Sequence, residues 1–277
     1  MPAVLAKNPL RALLAERRAL VMGILNITPD SFSDGGQFID PAVAIAHARD
    51  MARQGADILD VGAESTRPYG GMKPVSLEDE LDRLKPVLPA VLASGLPVSI
   101  DTIKPKVADW ALRQGAAILN DVWGLQRDAD MARVAAEHGV PVIVMHNREA
   151  ADPAIDIMAD VQAFFARSLE IAARAGIARE QIVLDPGIGF GKTPPQSITM
   201  IARLAELRAF GLPLLMGLSR KRFIDSVAPS KPDQRLGGSI AGNVLAVLYG
   251  ADIVRVHDVG ETVQALRVMA AIRAAQG

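Results

Sequence analysis

The 277-residue sequence contains no cysteine. This absence excludes disulfide bonds, thiolate nucleophiles and cysteine-ligated metal ions, and it fits a reducing cytoplasm. The formal net charge is −1, so no basic surplus predicts binding to nucleic acid or to a membrane surface. No apolar stretch reaches membrane-spanning length. The first 18 residues carry charges where a signal peptide needs its apolar core, so we expect a cytoplasmic protein.

Several catalytic signatures are missing as well. There is no HExxH or clustered His/Asp pattern, which argues against a catalytic zinc site, and no G-x-S-x-G elbow. The segment LDPGIGFGKT departs from a phosphate-binding P-loop, because Pro186 stands where the first glycine is needed. We also expect Pro194 and Pro195 to prevent the helix that a P-loop requires after its lysine.

Eight short apolar runs, each ending in a polar residue, dominate the rest of the chain. They are ALVMGILN, DILDVG, PVSID, AAILND, PVIVMH, QIVLDP, PLLMGLS and DIVRVHD. A run that is apolar on both faces indicates a parallel strand covered on both sides, and amphipathic helical stretches lie between the runs. The pattern predicts an α/β fold, a single-domain (β/α)₈ TIM barrel with its active site at the carboxyl ends of the strands. We assign residues 1–18 to an N-terminal extension and residues 19–277 to the barrel domain.

The barrel would bring the polar residues at the strand ends around one mouth: Asn26, Asp60, Asp101, Asn120, Asp121, His146, Asp185, Ser219, Arg255 and His257. One subset mixes acceptors and donors that suit the hydrogen-bonding edge of a fused nitrogen heterocycle, namely Asp101, Asn120, Asp185 and Lys221. Another subset suits a diphosphate with Mg²⁺, namely Asn26, Thr66, Arg67, Arg255 and His257. No residue stands out as a covalent nucleophile. We therefore expect a site that holds two substrates together and stabilises a departing diphosphate.

The strand-end motifs carry a resemblance to a known family. In chain order they are NITPDSFSDGG, ESTRP, SIDT, LND, LDPGIGFGKT, GLSRK and RVHD. Together they resemble the dihydropteroate synthase family of pterin-binding enzymes, over roughly residues 20 to 270. The resemblance implies a transferase of folate biosynthesis that joins 6-hydroxymethyl-7,8-dihydropterin diphosphate to p-aminobenzoate. It also implies an SN1-like course in which diphosphate leaves first and the amine then attacks the pterin cation.

The resemblance also implies a role for each matching residue. Asn26 matches the asparagine linked to Mg²⁺, the implied cofactor. The matching pterin-binding and pterin-lining residues are Asp101, Asn120, Asp185, Lys221, Phe190, Gly217 and Met145. The matching diphosphate contacts are Thr66, Arg67, Arg255 and His257. The p-aminobenzoate pocket is matched by Pro68, Phe190, Ser219, Lys221, Phe32 and Asp34. Catalytic roles fall to Asp101, Asp185, Lys221, Arg255, Phe32 and Asp34.

Family resemblance further implies a cytoplasmic homodimer and a sulfonamide target. Asn147 and Arg148 depart from the pattern, because methionine is commoner after the histidine that matches His146. One alternative is the pterin-binding domain of a corrinoid-type methyltransferase, which handles no diphosphate and would not need ESTRP, SRK and RVH together. The other alternative is a non-catalytic pterin-binding paralogue, which should have lost loop or phosphate-binding residues. All three motifs are present, and no matched residue is lost.

Overall fold

The computed structural model describes residues 8–28, 40–64 and 75–276. Within these ranges the strands are β1 (Leu20–Asn26), β2 (Ile58–Gly62), β3 (Val98–Asp101), β4 (Ile118–Asp121), β5 (Val142–Met145), β6 (Ile182–Asp185), β7 (Leu215–Met216) and β8 (Ile253–Val256). The α-helices in the same ranges are α1 (Pro9–Leu14), α2 (Pro41–Gln54), α3 (Leu77–Leu84), α4 (Leu88–Leu92), α5 (Pro105–Gln114), α6 (Ala129–His138), α7 (Ile157–Ala175), α8 (Pro194–Ala202), α9 (Arg222–Val227), α10 (Leu236–Leu248) and α11 (Val259–Ala274). None of these helices is both long and apolar enough to cross a membrane.

All the strands run parallel, in the order β6-β5-β4-β3-β2-β1-β8-β7. The first strand pairs with the last, with Leu20 opposite Ile253. A single parallel bridge between Leu184 and Leu214 joins β6 to the segment that leads into β7. This bridge brings the two ends of the sheet together into a ring. The predicted (β/α)₈ barrel is therefore confirmed, and each of the eight apolar runs contains one strand.

Side chains along the strands form two layers inside the barrel. The lower layer is an apolar cluster of nearly inaccessible residues: Leu20, Met22, Ile58, Ile118, Ile143, Val183, Leu215 and Ile253. Successive side chains of a strand point to opposite faces, so the next inward position lies two residues further on. In β2, β4, β6 and β8 that position holds Asp60, Asn120, Asp185 and Arg255. The apolar layer therefore fixes which polar side chains face the mouth.

Helix α1 covers the lower end of the barrel. Leu10 is buried and joins the apolar cluster inside the ring. The Asn8 side chain accepts the Arg11 N–H at 3.0 Å, which caps the helix, and it donates to the Glu180 carbonyl at 3.1 Å. The predicted extension thus contributes a helix that packs against the barrel from residue 8 onward. The division at residue 18 stays a prediction.

Local signals account for where several helices begin and end. The Asp40 and Asp156 side chains accept N–H groups in the first turns of α2 and α7, and left-handed glycines follow both helices. Helix α8 contradicts one expectation, because it begins at Pro194 with Thr193 as its N-cap. Proline is tolerated in a first turn, since the N–H that it lacks would have no partner within the helix. The prolines therefore start a helix here, and Pro186 remains the argument against a P-loop.

Candidate active site

A pocket opens at the carboxyl ends of the strands. Its lining residues are Asp101, Asn120, Val122, Met145, Asp185, Gly187, Ile188, Phe190, Gly217, Lys221 and Arg255. The structure thus brings together eight predicted substrate-binding residues and adds Val122, Gly187 and Ile188. A second, more open groove lies at the opposite end of the barrel, between α1, α11 and the loops before the strands. It contains none of the polar strand-end residues.

The other predicted residues divide into two groups. Phe32, Asp34, Thr66, Arg67 and Pro68 lie outside the described residues. Asn26 ends β1, while Ser219 and His257 follow β7 and β8 at the same end of the barrel as the pocket. The Ser219 hydroxyl accepts the His257 backbone N–H at 3.2 Å and lies 3.0 Å from His257 Nδ1. Ser219, which is assigned to the p-aminobenzoate pocket, therefore contacts His257, which is assigned to the diphosphate.

Two polar residues expected around the mouth face away from the pocket. Asp121 follows the inward Asn120, and its carboxylate accepts the backbone N–H groups of Trp123 and Leu125 at 3.0 and 2.7 Å. His146 follows the inward Met145, and its Nε2 lies 2.9 Å from Asp160 of α7. The cause is the period of two along a strand, which turns each next residue to the opposite face.

Arg255 connects two buried carboxylates across the upper barrel. Its Nε donates to Asp60 Oδ2 at 2.5 Å, and its Nη2 donates to Asp101 Oδ2 at 2.7 Å. Asn120 Nδ2 donates to the same Asp60 oxygen at 3.1 Å. Burial acts to lower the pKa of Arg255, but the Asp60 and Asp101 carboxylates raise it above its ordinary value. The guanidinium therefore stays charged and links β8 to β2 and β3 at the pocket.

Asp60 organises the site; the strand pattern predicts it at the mouth but assigns it no role in substrate binding. Its side chain is fully buried, so its charge depends on neighbouring side chains for compensation. It sits inside the apolar run DILDVG, two residues before that run ends. A carboxylate within a buried strand is itself a signal, because an ionised group there needs a partner.

Asp101 presents an acceptor with no donor. Its Oδ1 atom is buried and has no hydrogen-bond partner among the described residues. Burial raises the pKa of Asp101 to about 7, and the Arg255 charge opposes that rise. A buried acceptor without a donor costs free energy, so this atom is suited to an N–H supplied by a ligand.

Asp185 and Lys221 hold the loop after β6, which forms one wall of the pocket. Asp185 Oδ1 accepts the Gly187 N–H at 2.7 Å. Burial raises the pKa of Asp185, while that hydrogen bond and the Lys221 charge oppose the rise. Lys221 Nζ donates to the Ile188 carbonyl at 2.8 Å and lies 4.1 Å from the centre of the Phe190 ring. The ammonium therefore gains both a hydrogen bond and a cation–π contact.

These contacts define what the pocket can bind. Carboxylate and amide groups line it on the strand side, and the Phe190 ring with Met145 supplies apolar surface. A flat heterocycle that presents several N–H groups would satisfy the acceptors and pack against this surface. The described residues contain no group of three or more His, Asp or Glu side chains placed to hold a metal ion. Mg²⁺ commonly uses few protein ligands at phosphate sites, so Asn26 together with substrate phosphate oxygens would be the groups to hold it here.

Comparison with known proteins identifies the family. The sequence profile described as "Pterin binding enzyme" matches residues 22–257. The chain belongs to the pterin binding enzyme family. A dihydropteroate synthase of Bacillus subtilis (strain 168) is 44% identical over 262 residues, which cover 94% of this chain and 91% of that protein.

Two solved structures extend the comparison to the fold. Dihydropteroate synthase from Xanthomonas albilineans in complex with 7,8-dihydropteroate has a TM-score of 0.85 and 41% identity, covering 93% of this chain and 94% of that chain. The Yersinia pestis enzyme, in a complex with a sulfonamide drug, has a TM-score of 0.87 and 42% identity, covering 94% of this chain and 95% of that chain. The family resemblance of the motifs is confirmed, and the chain is a transferase of this kind.

The Asp185 geometry predicts a loss of pterin affinity in Asp185→Asn. One carboxylate oxygen holds the Gly187 N–H, so the new amide would turn its NH₂ group towards a donor edge of the ligand. Losing a charge-assisted hydrogen bond and leaving a donor unpaired should weaken binding by roughly 2–4 kcal/mol. Titration calorimetry with the pterin substrate measures this change. Asp121→Asn is the matched control, because Asp121 is equally buried at a strand end but outside the pocket. Comparable losses in the two variants would contradict the assignment.

Proposed function

We propose that the chain condenses 6-hydroxymethyl-7,8-dihydropterin diphosphate with p-aminobenzoate, giving 7,8-dihydropteroate and diphosphate in folate biosynthesis. The observation that carries this function is one pocket with Asp101, Asn120, Asp185 and Lys221 on its walls, in a chain that matches dihydropteroate synthases over nearly its whole length. No observation favours the methyltransferase or the non-catalytic alternative.

The pterin would lie between the strand ends and Phe190. Asp101 Oδ1 and the Asp185 carboxylate would accept its N–H groups, and Asn120 would complete the polar edge. Lys221 would donate to a ring carbonyl or nitrogen, for which its ammonium has to leave the Ile188 carbonyl or share its donors with it. These contacts would orient the exocyclic carbon of the pterin towards the open mouth.

The diphosphate would lie towards Arg255, His257 and Asn26 at the ends of β8 and β1. Negative charge grows on the leaving oxygen as the carbon–oxygen bond breaks, so a fixed cation there stabilises the transition state more than the ground state. Arg255 is such a cation, because the charges of Asp60 and Asp101 raise its pKa against the effect of burial and their hydrogen bonds orient it. Mg²⁺, when bound, supplies further positive charge to the phosphate oxygens.

The amine would enter beside Ser219, Lys221 and Phe190. The residues predicted to complete this pocket, Phe32, Asp34, Thr66, Arg67 and Pro68, lie outside the described ranges. Sulfonamides share the shape and charge of p-aminobenzoate, and a related enzyme has been solved with such a drug. We therefore expect inhibition that is competitive with p-aminobenzoate. The enzyme would act in the cytoplasm, because its diphosphate substrate carries several charges and does not diffuse across a membrane.

The proposed order of steps predicts ordered, magnesium-dependent binding. Pterin diphosphate should bind in the absence of p-aminobenzoate, and removing Mg²⁺ should weaken that binding because phosphate charge is then left uncompensated. Calorimetry with each substrate alone, with and without Mg²⁺, measures both effects, and an assay for diphosphate release shows turnover. Tight binding of p-aminobenzoate to the enzyme free of pterin and diphosphate would contradict the order. Pterin binding without any diphosphate release would contradict the function.

Arg255 variants test the assignment of the leaving group. Arg255→Ala should lower kcat by about 10²-fold with both substrates saturating, as expected for removing a donor aimed at developing charge. Arg255→Lys should recover only part of the rate, since an ammonium cannot reproduce the planar fork that reaches Asp60 and Asp101 together. Arg220→Ala is a control, because Arg220 pairs with Asp258 outside the pocket. If Arg255→Ala left kcat unchanged and raised only the KM for p-aminobenzoate, Arg255 would contact p-aminobenzoate and its assignment to the diphosphate would be wrong.

We also propose a homodimer formed through α10 and α11. Helix α10 contains no charged residue, and its exposed face carries Gly237, Ala241, Leu245 and Leu248 at helical spacing. The neighbouring α11 exposes Val268 and Ile272, four residues apart. Exposed apolar side chains grouped on two neighbouring helices favour burial against protein. A second copy can supply the same face through a two-fold axis, as in most homodimers.

Light scattering on the purified protein tests the dimer. Leu248→Glu should shift the mass towards the monomer, because it places a charge on an apolar contact. Val43→Glu is the matched control, since Val43 on α2 is 44% exposed and Leu248 is 45% exposed. A monomeric wild-type protein, or an equal shift in both variants, would contradict the interface.

A further inference from the structure

Lys192 is a buried cation that lies outside the pocket. Its side chain is 1% exposed, and its Nζ does not line the site. Three acceptors surround the ammonium: His146 Nδ1 at 2.7 Å, the Gly187 carbonyl at 2.9 Å and the Phe190 carbonyl at 3.1 Å. Two of these acceptors belong to the loop that forms a wall of the pocket. The side chain therefore holds the pocket wall from its far side.

A chain of polar contacts orients Lys192. Burial and the Lys192 charge lower the pKa of His146 to about 3, so its ring is neutral. Nδ1 then accepts from Lys192, and Nε2 donates to Asp160 Oδ2 at 2.9 Å. The other Asp160 oxygen accepts from Arg148 Nη1 at 2.9 Å. Asp160 belongs to α7, so Lys192 and His146 link the loop after β6 to this long helix.

Close packing leaves the loop little freedom on this side. Gly187 has φ +65°, and a Cβ there would lie 1.9 Å from the His146 carbonyl oxygen. A Cβ at Gly191 would lie 2.3 Å from the Arg148 Cβ. The loop therefore lies directly on residues 146–148, where Lys192 also makes its contacts. Its opposite side faces the pocket and is held by Lys221 through the Ile188 carbonyl.

We propose that Lys192 is a positioning residue for the pterin, fixing the segment Gly187–Phe190 while Lys221 turns to the substrate. The inference rests on the proposed function, because it assumes that the pterin binds in this pocket. When the pterin engages Lys221, the hydrogen bond from Lys221 to Ile188 is lost or shared. The contacts from Lys192 to Gly187 and Phe190 do not involve the ligand, so they keep the Phe190 ring in place through the reaction. This assigns the two lysines separate tasks on the two sides of one loop.

The test compares Lys192→Met with Gln181→Met. Gln181 is also buried and donates to a backbone carbonyl, that of Val140 at 3.2 Å, at the opposite end of the barrel. Both variants therefore lose a buried hydrogen-bond donor, but only the Lys192 donor binds the loop that forms the pocket wall. Lys192→Met should raise the pterin Kd and KM by about tenfold or more, as expected when a binding group is displaced by a fraction of an ångström. Gln181→Met should leave both values near those of the wild type.

At saturating pterin diphosphate, the KM for p-aminobenzoate should rise less in Lys192→Met than the KM for the pterin, because Phe190 borders both substrates whereas Gly187 and Ile188 line the pterin pocket. Burial lowers the pKa of Lys192 to about 7 against the opposing charge of Asp185, so the comparison is made on the acid side of that value. If Lys192→Met does not fold, Lys192→Gln takes its place with the same criteria. Unchanged pterin affinity, equal losses in the Lys192 and Gln181 variants, or an equal rise in both KM values would overturn the proposal. Wild-type protein that binds no pterin would instead refute the function.

Discussion

Charge compensation inside the upper barrel is the constraint on which the site depends. Asp60, Asp101 and Asp185 all point into a ring whose lower half is apolar, and ionised carboxylates in such surroundings are costly without partners. Arg255 is the cation that reaches two of them. Under the proposed function, the same residue would also meet the departing diphosphate. Stability of the mouth and stabilisation of the leaving group are therefore linked through one guanidinium.

The barrel and much of the pocket could be predicted because both follow from the pattern along each strand. Asp101, Asn120 and Asp185 stand at or near the ends of apolar runs, so their place at the mouth follows once the strands are recognised. It is harder to predict which of two adjacent residues at a strand end faces the pocket, because side chains alternate between the two faces of a strand. Asn120 and Met145 face the pocket. Asp121 and His146, one residue further on, face away from it: Asp121 accepts N–H groups of the turn after β4, and His146 contacts Asp160 of α7. Adjacent polar residues in a sequence thus belong to different environments.

Other features could not be predicted because they depend on backbone geometry and on distant partners. Gly187 lines the pocket only because a left-handed conformation lets the chain lie against the His146 carbonyl. The sequence argues against a P-loop around Lys192 but does not indicate its partners, which are two carbonyl groups of its own loop and the neutral ring of His146. Asp60 has no sequence neighbour that indicates its partners, which come from β4 and β8. Local sequence patterns predict the helices and strands. The contacts of Gly187, Lys192 and Asp60 with distant residues form only when the barrel has closed.

The distance along the chain between Arg255 and its partners has a consequence for biosynthesis. Asp60 is 195 residues from Arg255, and Asp101 is 154 residues from it. A ribosome makes the acidic strands first and the arginine nearly last, so the nascent chain holds these carboxylates without their cation for most of its translation. Insertion of β8 between β1 and β7 then supplies the missing charge and the missing strand together. The strand that completes the pairing between β1 and β7 is therefore also the strand that carries the cation for Asp60 and Asp101.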